Sequence, residues 1–179
     1  VMKDLDEWGV TVLQANEEMD AGDIWASVVF PMRKTTKASL YRNEVTESAV
    51  EAVNIALNEF SKQDFIPLPL ANSDARGSWQ PLITQSDRTI DWSKDNTNTV
   101  LIKIRAADGF PGVKSQLFER ELFVYDVHAE PKLKGKAGNI IARNDTAICI
   151  ATNDSAVWIG HLKDKNSEHP FKLPATEVL

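Results

Sequence analysis

The sequence predicts an α/β first half followed by a small, mainly β second half with the pattern of an OB-like barrel. Two short apolar runs flank an acidic turn and precede one long helical pattern. A stretch with two prolines then interrupts all regular periodicity. Beyond it, one helical pattern precedes about five short strands separated by turn residues. The predicted domains are residues 1–64 and 81–179, with residues 65–80 as the linker.

An acidic turn lies between the first two predicted strands. They begin near Val10 and Trp25, and the acidic, glycine-containing sequence MDAGD joins them at residues 19–23. In open α/β sheets, ligands bind beyond the ends of the strands, so Asp20 is the candidate for the chemistry. A carboxylate there can exchange a proton with a reacting group. Spacing alone favours the alternative of a solvated acidic loop.

A long helix is predicted over residues 35–62, with Thr36 or Ser39 as the capping residue and a kink near Thr46. Apolar residues recur along it at spacings of three or four, which is typical of a helix that packs one face on a sheet. The predicted buried face consists of Leu40, Tyr41, Val45, Ala49, Val53, Ala56, Leu57 and Phe60.

The second half is predicted to open with a helix over residues 97–107, capped by Asp95 or Asn96. A hard turn follows at residues 108–112, where two glycines flank Phe110 and Pro111. Five strands are then expected at residues 113–118, 122–127, 138–142, 147–151 and 157–162. The predicted hairpin turns are Glu119-Arg120, Asn144-Asp145 and Asn153-Asp154, and the tail from Phe171 is expected to be extended.

The composition excludes several classes of protein. The net charge of the 179 residues is −6, and residues 84–179 carry 13 basic against 13 acidic side chains. Neither half has the positive excess of a nucleic-acid binder, so no nucleic-acid partner is predicted. No apolar run reaches the roughly 20 residues of a membrane helix, so no membrane partner is predicted either. The single cysteine, Cys149, is expected to be buried and indicates a reducing, cytoplasmic location.

The chain lacks the common motifs of phosphate, zinc and nucleophile sites. It contains no GxxxxGK[ST], GxGxxG, CxxC or GxSxG sequence. His128, His161 and His169 do not have the spacing of metal ligands, so no metal site is predicted.

Two longer stretches resemble a known enzyme family. The sequence GVTVLQANEEMDAGDIW, followed by a helix that begins SLY, is similar to the end of the catalytic domain of formyltetrahydrofolate-dependent formyltransferases. RTIDWSKDNTNTVLIKIRAADGFPGV is similar to the start of that family's C-terminal barrel domain. MDAGDIWA, SLYRNEVTESAVEAV, IRAADGFPGV, DSAVWIGHLK and FKLPATEVL further resemble the HypX (HoxX) type of hydrogenase maturation factor.

The resemblance implies both a reaction and a set of site residues. Proteins of this type take the formyl group of 10-formyltetrahydrofolate and pass it to coenzyme A, and a crotonase-like half then releases CO for [NiFe]-hydrogenase. The resemblance implies that Asp20 is the catalytic carboxylate and that the catalytic domain is Rossmann-like. It also implies that the folate lies against a loop consisting of Asn16, Glu17, Glu18, Met19 and Asp20. Folate, coenzyme A and hydrogenase maturation proteins are therefore the expected partners.

The resemblance also predicts that the chain is an internal fragment. The family's Asn-x-His segment, which supplies the partners of the carboxylate, does not occur in it, and neither does a crotonase-like sequence. The isolated chain is therefore expected to be inactive. Two other interpretations remain open. One is a protein related to methionyl-tRNA formyltransferase, and the other is a non-enzymatic interaction module.

Overall fold

The structure is a computed structural model, and it describes residues 1–62, 64–73 and 80–179. It divides into two compact units. The hairpin unit comprises Leu5–Lys34 and Ser39–Pro81, and the sheet unit comprises Leu82–Leu179 with Val1–Asp4 and Thr35–Ala38.

Part of the predicted linker cannot be compared with the structure. Gln63 and the turn formers Asp74 and Gly77 lie outside the described residues. The predicted class, an α/β region followed by antiparallel β structure, is confirmed.

The secondary structure alternates between short strands and a few helices. Its elements in chain order are β1 Glu7–Leu13, β2 Ile24–Pro31, α1 Lys37–Leu40, a π-helical turn Tyr41–Val45, α2 Thr46–Phe60, 3₁₀ turns Leu70–Asn72 and Ser86–Arg88, α3 Thr97–Ala107, β3 Val113–Leu117, β4 Arg120–Glu130, β5 Ile140–Arg143, β6 Ile148–Ala151, β7 Ala156–Asp164, β8 Leu173–Pro174 and α4 Ala175–Val178.

The hairpin unit consists of the antiparallel pair β1–β2 and the helix α2 packed against it. The buried cluster between strand and helix is made of small side chains, since Ala26 of β2 lies against Ala52 and Ala56 of the helix. Three larger side chains of this unit, Ile24, Phe30 and Leu40, are also buried. Small residues allow a helix to approach a strand closely, but they remove little apolar surface from water. This unit therefore has a small core of its own.

The predicted buried face of the helix is partly wrong. Leu40 and Ala56 are buried as expected, whereas Tyr41, Leu57 and Phe60 are exposed. The buried positions of α2 are Ser48, Ala52 and Ala56, which recur every four residues. The prediction followed the largest apolar side chains, but the close contact with the hairpin selects the smallest ones.

The helix changes its geometry just before Thr46, where a kink was predicted. The turn Tyr41–Val45 is π-helical, and the hydroxyl of Thr46 donates a hydrogen bond of 2.6 Å to the carbonyl of Tyr41. A widened turn of this kind inserts a residue into the regular ladder and re-aims the side chains that follow.

The sheet unit contains the main hydrophobic core. Its strands pair antiparallel in the order β3-β4-β7-β6-β5, and β8 adds to β7. The helix α3 begins with the predicted cap, since Oδ1 of Asn96 accepts the N–H of Thr99 at 2.8 Å. Its Val100 and Ile104 are fully buried against Leu122, Ile148 and other strand residues. The OB-like closure of this sheet stays a prediction.

Two local predictions in the sheet unit are wrong. The turn between β3 and β4 is formed by Phe118 and Glu119, one residue earlier than predicted, and both have left-handed backbone conformations. The tail is not simply extended, since β8 is followed by the short helix α4. Left-handed turns normally use Asn or Gly, so the pattern gave no signal for Phe118-Glu119.

Candidate functional site

The acidic loop between β1 and β2 is closed at its base by backbone contacts. The N–H of Gln14 donates a hydrogen bond of 2.8 Å to the carbonyl of Asp23. Gly22 is buried against the same residue, and a methyl group added at Gly22 would overlap the carbonyl oxygen of Gln14. The two ends of the loop are therefore in direct backbone contact, and only glycine fits at position 22.

Asp20 has an unusual backbone conformation within this loop. Its φ angle of 58° lies in the left-handed region, which non-glycine residues rarely adopt. Asp and Asn adopt this region more often than other non-glycine residues, because their short polar side chains can form local hydrogen bonds. On the same loop, Oδ1 of Asn16 accepts the N–H of Glu18 at 3.0 Å and forms a local turn. The loop therefore has a defined conformation that presents the Asp20 carboxylate.

The structure brings together all the site residues predicted from the sequence, because they lie on this one loop. All five are exposed, and the side chain of Met19 is 89% exposed. Among the described residues, no lysine or arginine forms an ion pair with Glu17, Glu18 or Asp20. The predicted folate-binding residues are Asn16, Glu17, Glu18, Met19 and Asp20, and each is accessible to a ligand.

The sequence interpretation missed two residues that support the loop. Nε1 of Trp25 donates a hydrogen bond of 3.0 Å to Oε1 of Gln14. The pairing of β1 with β2 shifts register between Val12 and Leu13, and this irregularity leaves Trp25 as the extra residue of β2. The sequence does not indicate a β-bulge at this point. The contact between Gln14 and Trp25 was therefore not predicted.

A second cluster of titratable groups lies in the sheet unit. The carboxylate of Asp126 contacts Nε2 of His128 at 3.0 Å and Nδ1 of His161 at 3.1 Å. Burial opposes ionisation of Asp126, but the hydrogen bonds and charges of His128 and His161 together lower its pKa. Asp126 itself has a φ angle of 57°, and its carboxylate lies where a side chain at Gly160 would be. These contacts fasten β4 to β7.

Cys149 is buried in the core of the sheet unit. Burial raises the pKa of the Cys149 thiol to about 11, so this side chain is an inert core residue. Within residues 1–62, 64–73 and 80–179, no three His, Cys, Asp or Glu side chains are grouped to hold a metal ion. In the same ranges, no helix combines the length and apolar character needed to cross a membrane.

Known proteins resemble this chain over almost its whole length. Residues 82–170 match the family of formyl transferase C-terminal domains. HoxX, a hydrogenase maturation factor of Bradyrhizobium diazoefficiens, is 45% identical over 178 residues, which are 99% of this chain. The chain is a homologue of the HypX/HoxX maturation factors. HypX of Aquifex aeolicus in complex with tetrahydrofolic acid has a TM-score of 0.89 and 46% identity over 99% of this chain.

The homologous proteins are considerably longer than this chain. It spans 31% of HoxX and 31% of the Aquifex aeolicus HypX chain. A methionyl-tRNA formyltransferase of Streptococcus equi is 26% identical over 84% of this chain, which corresponds to 47% of that protein. The similarity to HypX and HoxX is therefore greater in sequence identity and in the share of this chain that is matched.

Proposed function

We propose that this chain carries the carboxylate side of a folate-dependent formyl-transfer site of the HypX type. In this proposal 10-formyltetrahydrofolate is the formyl donor, coenzyme A is the acceptor, and the product serves CO ligand synthesis for [NiFe]-hydrogenase. Residues 1–64 are the end of a Rossmann-like catalytic domain, 65–80 a linker, and 81–179 an OB-like domain. The reaction takes place in the cytoplasm, and hydrogenase maturation proteins are its expected partners.

One observation supports this proposal most directly. Asp20 is an exposed carboxylate held in a left-handed conformation on a loop whose base is closed by Gln14 and Gly22. Strained residues persist where the fold enforces them, and they are frequent at functional sites. The similarity to a HypX that binds tetrahydrofolic acid makes folate the ligand to test at this loop.

The chemistry requires a group that handles a proton. The acceptor thiol attacks the formyl carbon of the folate, and its proton must leave as the new S–C bond forms. The tetrahedral intermediate then collapses, the bond to N10 breaks, and the folate nitrogen takes up a proton. We assign Asp20 to orient the group that moves this proton. The oxyanion of the intermediate needs separate hydrogen-bond donors.

A methionyl-tRNA formyltransferase is the second candidate, because such enzymes match 84% of this chain. A tRNA-binding surface would need a clear excess of positive charge to neutralise phosphates. Residues 84–179 carry equal numbers of basic and acidic side chains, which argues against this role. A salt-dependent gel shift with tRNA would revive it. Stable binding to a hydrogenase maturation protein without any folate binding would instead favour an interaction module.

The proposed function is tested by Asp20→Asn in the natural polypeptide that carries this sequence. Formyl transfer from 10-formyltetrahydrofolate to coenzyme A should fall at least about a hundredfold, the typical contribution of a positioned acid–base group. Tetrahydrofolate binding should persist, because the amide keeps the size of the side chain. Glu51→Gln removes one exposed negative charge from α2 and serves as the control. Normal transfer by Asp20→Asn would refute the assignment.

The isolated chain provides a second test. We expect no measurable deformylation of 10-formyltetrahydrofolate by the 179 residues alone, because the Asn-x-His partners implied for Asp20 do not occur in them. A deformylation rate that disappears in Asp20→Asn would contradict this expectation.

A further inference from the structure

Gln14, at the start of the loop that presents Asp20, is hydrogen-bonded to Trp25, and the ring of Trp25 packs against the end of the helix α2. Oε1 of Gln14 accepts the indole N–H of Trp25 at 3.0 Å, and the backbone N–H of Gln14 closes the loop on Asp23. The carboxamide Nε2 lies 3.4 Å from the carbonyl of Ala15, the next residue of the loop. Gln14 therefore contacts both ends of the loop and the indole beside it.

Trp25 is itself held by aromatic packing. Its ring centroid lies 5.7 Å from that of Phe60 at the end of α2 and 5.3 Å from that of Phe65. Both pairs are tilted, and tilted aromatic pairs at these distances attract each other. The indole also packs on the cluster formed by Ala26, Ala52 and Ala56. The indole N–H is thus a fixed donor, and the Gln14 side chain is its acceptor.

We propose that Gln14 is a positioning residue of the formyl-transfer site, and this inference rests on the proposed role of Asp20. The hydrogen bond from Trp25 holds the start of the loop in register with the helix. The backbone hydrogen bond from Gln14 to Asp23 and the close contact of Gly22 with Gln14 fix the end of the loop relative to its start. Asp20 lies just before this end. Gln14 does not touch the reacting atoms in this account, and it acts only through the loop.

The proposal is tested with Gln14→Leu, which keeps the approximate volume but removes the acceptor. In the natural polypeptide that carries this sequence, kcat for formyl transfer should fall by about tenfold or more, because a carboxylate displaced by about 1 Å loses most of its effect. The KM for 10-formyltetrahydrofolate should change less than kcat. Gln116→Leu makes the same change at an exposed position of β3 and is the matched control.

Two further variants separate positioning from general stability. Gln14→Glu keeps an oxygen acceptor for Trp25 and should restore most of kcat. Trp25→Phe removes the donor, and combining it with Gln14→Leu should add little to the larger single effect, since both remove the same hydrogen bond. The indole N–H resonance of Trp25 should shift in Gln14→Leu and stay near its native position in Gln14→Glu.

The possible outcomes distinguish this inference from the proposed function. If Asp20→Asn is defective but Gln14→Leu keeps kcat within twofold of the native value, Gln14 does not position the site and the proposed function stands. Fully additive effects of Gln14→Leu and Trp25→Phe would also overturn the inference. If Asp20→Asn transfers formyl normally, the proposed function fails and the inference fails with it.

Discussion

The two units of the chain are stabilised in different ways. The core of the sheet unit consists of large, fully buried side chains such as Ile104, Leu122 and Ile159. The buried cluster of the hairpin unit contains Ala26, Ala52 and Ala56. The sheet unit therefore gains most of its stability from a large apolar core. The loop that carries Asp20 depends on a few specific contacts, so single changes there should alter function before they alter global stability.

The helix α2 also differs from α3 in how much of its apolar surface is buried. Val50, Val53, Leu57 and Phe60 are all exposed, and Val50 lines a shallow hollow of about 500 Å³ along this helix. Side chains of this size are buried in α3 of the sheet unit. Large apolar side chains therefore add to the hydrophobic core in α3 but remain exposed in α2.

The largest expected effect is the loss of a core side chain from the sheet unit. Ile104→Ala should lower the free energy of unfolding by about 3 kcal/mol, because it removes fully buried methyl groups and leaves a cavity. Val53→Ala on the exposed face of α2 should cost no more than about 0.5 kcal/mol. Urea unfolding of both variants of the 179-residue chain measures the difference. Equal costs would show that the contrast between the units is wrong.

The next largest effect is expected at the base of the loop. Gly22→Ala forces a methyl group against the carbonyl of Gln14 and should cost about 2 kcal/mol. The backbone bond from Gln14 to Asp23 should open, so the Gln14 amide should exchange its hydrogen faster with solvent. Gly9→Ala is the control with a milder clash, since its added carbon would lie 3.1 Å from the carbonyl oxygen of Val28. It should cost less than Gly22→Ala. Unchanged exchange at Gln14 in Gly22→Ala would refute the account of the loop.

A smaller effect is expected for the aromatic support of Trp25. Phe60→Ala should cost about 1 kcal/mol although Phe60 is 73% exposed, because its ring packs on the indole. Leu57→Ala on the same helix, with 61% exposure, should cost only a few tenths of a kcal/mol. Chemical denaturation followed by circular dichroism compares the two. If both cost the same, the aromatic contact does not stabilise the hairpin unit.

The smallest effect depends on pH and belongs to the sheet unit. The folded-state pKa of Asp126 is lowered, so its ionised form contributes stability above the unfolded-state value near 4. Asp126→Asn should therefore cost a few tenths of a kcal/mol near pH 6, since the group is partly exposed. This cost should vanish as the pH falls from about 5 through the lowered pKa. A cost that stays constant between pH 6 and pH 3 would contradict the assignment.

Periodicity and capping chemistry predicted much of the fold. The strands on either side of the acidic turn, the helix α3 with its Asn96 cap and most strands of the sheet unit were predicted from local pattern. The buried face of α2 was predicted only in part, because the buried residues that contact β2 are small rather than large. Phe118 and Glu119 adopt a left-handed turn that their residue types do not favour.

The candidate site was predictable only in part. The residue types of the acidic loop and the family resemblance predicted Asp20 and its neighbours as site residues, and this assignment stays a prediction. The support of the loop was not predictable, because it depends on a shift of strand register that aims Trp25 at Gln14. Such a contact depends on how two strands pair, so it cannot be predicted from the local pattern of either strand.

The most direct test of the account is a map of the tetrahydrofolate-binding surface by nuclear magnetic resonance. Titration of the isotope-labelled natural polypeptide should shift the backbone resonances of residues 16–20 and the indole N–H of Trp25. The resonances of the sheet-unit core, such as Ile104 and Ile159, should stay in place. Shifts confined to the sheet unit, with none in the acidic loop, would contradict the claim that this loop forms the folate side of the site.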